Sequence, residues 1–249
     1  MNTKVNKPYE SKLFAVLLML VGLVDLASIV YKFFAYRFEY DPTFSPVDYG
    51  RIKYVMFFTV ESNFLVSVYL ILLALTVFGV KKLARLTFNP TVSCFLTTYI
   101  IITGLVYCSG IFLGMTEPSK WDTFYHFVSS GNQILHHMIV PPFMVLLYLL
   151  PPTNESFPKK RVWLVGIYPL VYSLFSIIRG AVSRLHFYPY PVYKPDFYTD
   201  LFFGGRQVSV GLLYLSMLPV LIVGIMIFIL LARLLLFIKD KGNKKREGK

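Results

Sequence analysis

Six apolar blocks, each about as long as a bilayer is thick, dominate this chain. They lie at about 13–36, 52–79, 91–115, 126–150, 161–184 and 209–238. A membrane-spanning helix needs roughly 20 mostly apolar residues. Composition supports that reading: 56% of the residues are hydrophobic and 15% charged, against about 25% charged in soluble domains. The expected fold is therefore all-α, a polytopic bundle of six transmembrane helices forming one domain over residues 1–249. The first block is longer than the roughly 7–15 apolar residues of a signal peptide and lacks a small-residue cleavage site, so it reads as a retained helix.

The formal charge of +12 would suggest nucleic acid in a soluble protein. Its placement argues otherwise. With six spans, the N-terminal segment, the second and fourth loops and the C-terminal segment share one side. Counting Arg233 with the C-terminal segment, they carry 16 Lys and Arg, while the other three loops carry 7. Basic excess marks the cytoplasmic side. The clusters Lys81-Lys82-Arg85, Lys159-Lys160-Arg161 and Lys239 to Arg246 are topology anchors beside anionic lipid. No nucleic-acid partner is expected; the expected partners are membrane lipids or a fatty-acyl substrate.

No metal or cofactor is expected either. Cys94 and Cys108 both fall in the third span and form no CxxC pair. His136 and His137 are adjacent and cannot share a metal on one helical face, and neither a GxSxG elbow nor a phosphate loop is present. The loop Phe187-Tyr-Pro-Tyr-Pro-Val-Tyr-Lys-Pro-Asp-Phe-Tyr198 is expected to form a stiff aromatic cap, since repeated Pro excludes a regular helix and Tyr favours the membrane interface.

The ionisable residues within the spans are few: Asp25, Lys32, Glu61, His136, His137 and Arg179. A charge at mid-membrane costs on the order of 3 kcal/mol, so each needs a partner or a wet cavity. Helical spacing places Asp25, Ser28 and Lys32 on one stripe, and Thr59, Ser62 and Asn63 on another. Glu61 lies about 200° around from Thr59. Asn132 and His136 share a face of the fourth helix. Tyr168, Tyr172, Ser176 and Arg179 line the fifth. Counting inward from the membrane edges at about 1.5 Å per residue lets these stripes meet in one polar pocket in the outer half of the bilayer. The pocket would be structural glue or a site for binding or catalysis.

Four segments, in order, resemble a known family: Phe57-Phe-Thr-Val-Glu-Ser-Asn63; Asn132-Gln-Ile-Leu-His136-His-Met-Ile-Val-Pro141; Tyr168-Pro-Leu-Val-Tyr172 followed by Arg179-Gly180; and Tyr188-Pro-Tyr190-Pro191. The chain is similar to the androgen-induced gene family of membrane proteins, most of all to its bacterial branch, called Pr6Pr for a predicted six-helix topology. Animal members hydrolyse fatty acid esters of hydroxy fatty acids with an intramembrane Thr and His. The resemblance implies Thr59 as nucleophile and His136 as general base, with His137 as the alternate, and a Thr59 hydroxyl near one of the two imidazoles. Asn63, Asn132, Arg179, Glu61, Asp25 and Tyr172 would support the reaction or bind substrate. Arg179 is expected to pair with Glu61, Asp25 or a lipid acid. The alternative function is a non-enzymatic transporter or lipid-binding protein with the same pocket.

The charge split makes a direct prediction: reporter fusions at either end should report a cytoplasmic location. An external C-terminus would remove both the six-span count and the depth argument.

Overall fold

The computed structural model describes residues 7–35, 53–113, 124–150, 157–182 and 187–247. Among them there is helix and turn but no strand. Helix α1 runs Lys12–Ala35, α2 Phe58–Val77 and α3 Pro90–Phe112. The next helical path, α4, covers 124–149 in three consecutive pieces. A 3-10 segment, Lys159–Gly166, leads into α5, Ile167–Val182. A short α6, Phe197–Phe203, precedes the long α7, Val210–Glu247.

Among the described residues, five stretches are long and apolar enough to cross a membrane: Lys12–Phe34, Phe58–Val77, Pro90–Phe112, Lys159–Val182 and Val210–Asn243. The block read as a fourth span is helical too, but a π-turn at Leu135–Ile139 interrupts it. The cause is local. Pro141 and Pro142 have no N–H to give the carbonyls four residues back, and Val140 N–H instead bonds to Leu135 O, an i to i−5 link. The polarity is inverted relative to a soluble fold. Asp25, Asn63, Ser67 and Thr97 are fully buried, while Leu13 and Phe112 are 80% and 90% exposed. Large apolar surface facing outward signals an apolar surrounding or partner, and with the long apolar helices it is compatible with a multi-pass membrane protein.

The helices approach closely where side chains are small. α1 packs along α2, and a Cβ at Gly22 would meet Ser67 O at 3.0 Å. α3 lies between α2 and α4, and a Cβ at Gly104 would meet His137 O at 2.8 Å. α7 packs on the 3-10 segment and on α3, with Gly166 against Ile225. Its 38 residues span roughly 57 Å at 1.5 Å per residue, well beyond a hydrocarbon core of about 30 Å. The helix therefore continues through the basic segment, where the sequence reading ended the span at 238.

The second block is helical at 53–55 and then breaks. The long helix resumes at Phe58 because Phe57 is extended at φ −75° and ψ 130°, and its first amides are capped from elsewhere. Tyr172 OH accepts from Phe58 N at 3.0 Å and donates to Met56 O at 2.6 Å.

The α3–α4 contact yields a stability prediction. Gly104→Ala should cost about 1–3 kcal/mol, as overpacked sites do, because the clashing atom is backbone. Gly131→Ala, with open space around its added methyl, should leave the melting temperature in detergent near wild type. Equal melting for the two variants would mean that the helices separate freely at Gly104.

Candidate functional site

Asp25 organises the centre of the bundle. Its side chain has no exposed surface, and Ser67 Oγ donates to its Oδ2 at 2.6 Å. Its Oδ1 lies 3.2 Å from His136 Nε2 but has no hydrogen-bond partner among the described residues. Ser28 Oγ sits 2.7 Å from the same nitrogen and donates to Asp25 O at 2.8 Å. With the serine proton committed there, Nε2 carries the imidazole hydrogen and donates to Ser28 Oγ. Asn132 reaches Ser28 O at 3.4 Å. One helical turn further along α1, Lys32 donates to Ser129 Oγ at 2.8 Å. So Asp25, His136 and Asn132 gather between α1, α2 and α4, as helical spacing suggested.

His137 has a different setting. Its ring stacks on Tyr107 of α3, with centroids 4.0 Å apart. Its Nδ1 lies 2.9 Å from Gln133 O. A carbonyl can only accept, so Nδ1 carries the hydrogen and Nε2 keeps the lone pair. The π-turn thus presents two adjacent imidazoles differently: His136 donates through Nε2, and His137 keeps a basic Nε2.

Thr59 stands in the first turn of α2. The Tyr190 hydroxyl accepts from Thr59 N at 3.4 Å and interacts with the Thr59 hydroxyl. Burial pushes the Tyr190 phenol up to about 12, so it remains protonated. Asn63 donates to Thr59 O at 2.8 Å, and its buried Oδ1 has no hydrogen-bond partner among the described residues. Ser62 Oγ lies 2.9 Å from Thr103 Oγ1, which puts the Thr59–Asn63 segment against the turn of α3 that carries Gly104, the glycine on which His137 O of α4 is seated. Among the described residues no hydrogen bond joins Thr59 to either imidazole.

Three further residues take other roles. Tyr172 caps α2. Glu61 accepts a hydrogen bond from Tyr168, consistent with its lying off the Thr59 stripe. Arg179 does not pair with Glu61 or Asp25 among the described residues. Its guanidinium sits 5.7 Å from the centroid of the Phe187 ring, because it lies three residues from the end of α5 and turns toward the adjoining loop. Sequence spacing missed Ser67, although Ser67 continues the Thr59–Asn63 stripe by one more turn. It also missed Thr103, Gly104 and Tyr107 of α3, since small or aromatic residues in an apolar span carry no distinguishing signal. Among the described residues no group of His, Cys, Asp or Glu forms a metal site. The chain matches no family model, no curated protein and no solved structure.

The Asp25–His136 contact should be energetically coupled. Interhelical polar contacts in membrane proteins average about 0.6 kcal/mol and reach about 1.7 kcal/mol. A double-mutant cycle with Asp25→Asn and His136→Gln, read by unfolding in mixed micelles, should give a coupling in the upper part of that range. Strict additivity would mean that the two side chains do not act together.

Proposed function

We propose that this protein crosses the membrane six times, with both termini cytoplasmic, and hydrolyses lipid esters in the plane of the bilayer. What supports the sixth crossing is the helical path over 124–149, which at about 1.5 Å per residue is roughly 39 Å long. What supports the activity is one observation. The Thr59–Asn63 segment and His137 bracket the same turn of α3, through the 2.9 Å contact of Ser62 with Thr103 and the close seat of His137 O on Gly104. The two segments resembling the hydrolase family thus share a neighbour and a depth.

In this reading Thr59 is the nucleophile. A Thr hydroxyl is weak until a base takes its proton. His136, the first choice from spacing, has its Nε2 turned to Ser28 of α1 and keeps its lone pair on Nδ1. His137 is preferred as the base, since its residue seats on the α3 turn that the Thr59–Asn63 segment also meets, and its Nδ1 hydrogen, held by Gln133 O, leaves Nε2 basic. The Thr59 oxygen attacks the ester carbonyl while its proton passes to His137 Nε2. Collapse breaks the ester C–O bond, and His137 returns the proton to the leaving alcohol. Water, deprotonated by the same imidazole, then frees the acid from the acyl-threonine. His136, Asp25, Ser28 and Asn132 hold α4 against α1, and Tyr190 covers the nucleophile.

A second reading, a lipid or small-ligand carrier, draws on the buried acceptors Asp25 Oδ1 and Asn63 Oδ1, which a bound donor would satisfy.

The discriminating assay is turnover of a long-chain acyl ester by the purified protein in neutral detergent. General-base catalysis contributes about 10²–10⁴-fold, so Thr59→Ala and His137→Ala should each lower turnover at least a hundredfold. His136→Ala should lose less activity than His137→Ala while lowering the melting temperature. Turnover unchanged in Thr59→Ala and His137→Ala would remove the hydrolase reading.

A further inference from the structure

At the end of the bundle where α2 begins and α5 ends, two cations converge on one ring. Lys53 Nζ lies 4.9 Å and the Arg179 guanidinium carbon 5.7 Å from the centroid of Phe187. Both side chains are half-buried. A ring face attracts cations but leaves their charge uncompensated, and the two repel each other. The carboxylates placed in this region are engaged elsewhere: Glu61 with Tyr168, and Asp196 with Lys194 at 3.3 Å. Among the described residues, neither Lys53 nor Arg179 has an acidic partner. A guanidinium and an ammonium held side by side suit an anion with several oxygens.

The ring also leads to the proposed nucleophile. Phe187 meets Phe57 edge-on with centroids 6.2 Å apart, and Phe57 meets Tyr190 at 5.8 Å. Tyr190 hydrogen-bonds to Thr59. The loop is seated firmly beside the cations: the Tyr188 ring occupies the space a Cβ at Gly180 would need. A charged head bound at Lys53 and Arg179 would therefore lie beside the aromatic cap, with its hydrocarbon chain directed into the apolar surround. We propose that Lys53 and Arg179 form a headgroup site for the carboxylate of a single-chain lipid acid. This rests on the hydrolase reading for its purpose but not for its test.

The test is binding of radiolabelled hexadecanoate to the purified full chain in neutral detergent. Competition by unlabelled hexadecanoate, its methyl ester, a lysophosphatidate and inorganic phosphate identifies the ligand. The acid should compete at least tenfold better than its methyl ester. The Lys53→Gln/Arg179→Gln double variant should bind at least tenfold more weakly, and Arg179→Lys should recover part of that loss. Thr59→Ala should bind as wild type does, so loss of the hydrolase reading leaves this site standing. Equal competition by acid and ester would overturn the proposal, and this comparison needs no variant that must fold. So would wild-type affinity in the double variant. A lysophosphatidate that displaces the label while unlabelled acid does not would overturn the carboxylate assignment. Inorganic phosphate competing as well as the acid would overturn the lipid assignment.

Discussion

An ionisable carboxylate with no exposed surface dictates its surroundings. Asp25 sits in the middle of a helix whose other residues are mostly apolar, and burying an unanswered carboxylate costs several kcal/mol. The chain answers one oxygen with the Ser67 hydroxyl of α2 and brings the His136 imidazole of α4 to 3.2 Å from the other. Ser67 of α2, Ser28 of α1 itself and His136 of α4 converge within 3.2 Å of it or of its neighbours. In an apolar surround, apolar packing gives helices little preference for one partner over another. A buried carboxylate does give such a preference. It fixes which face of α1 meets α2 and brings α4 alongside, and the positions of the other polar residues follow from that register.

The π-turn in α4 is the second device, and it follows from two prolines. Without Pro141 and Pro142 the helix would carry His136 and His137 about 100° apart on regular turns, with every carbonyl paired. With them, the backbone widens over Leu135–Ile139 and presses His137 O onto Gly104. π-turns recur at functional sites. Here the widened turn gives one imidazole a structural partner on α1 and leaves its neighbour stacked on Tyr107 with a basic nitrogen. Adjacent residues of one type thereby acquire different chemistry from backbone geometry alone.

Period and composition pointed to the helical class and the approximate limits of the apolar helices, and spacing allowed Asp25, His136 and Asn132 to meet without requiring it. Those features depend on the order of residues along single helices. Rotations of helices about their own axes are not encoded that way. The 100° period places Thr59 and Asn63 on one stripe but does not say that α3, rather than α4, receives Ser62. It also cannot show that Arg179 prefers the Phe187 ring to Glu61, because that choice depends on a loop folding back over the helix end. The break just before Phe58 has the same origin: the caps that let α2 restart there come from Tyr172 and Tyr190, more than 100 residues away in the chain.

Those caps link the aromatic loop to the site more tightly than an interfacial belt requires. The first amides of a helix have no partners within it, and in an apolar surround each unpaired one is costly. Phe57 and Phe58 precede and open α2 where a Ser or Asp would ordinarily cap it. The chain substitutes phenol hydroxyls carried by distant segments, one on α5 and one on the Tyr-Pro loop. The Tyr190 bond, at 3.4 Å, is the longer of the two and belongs to the residue proposed as nucleophile. In the proposed reaction, a substrate carbonyl approaching Thr59 would displace that hydroxyl. The freed Thr59 amide, at the positive end of the helix dipole, would then point toward the entering oxygen, so the group that covers the site in the resting state marks where negative charge would develop in the reaction.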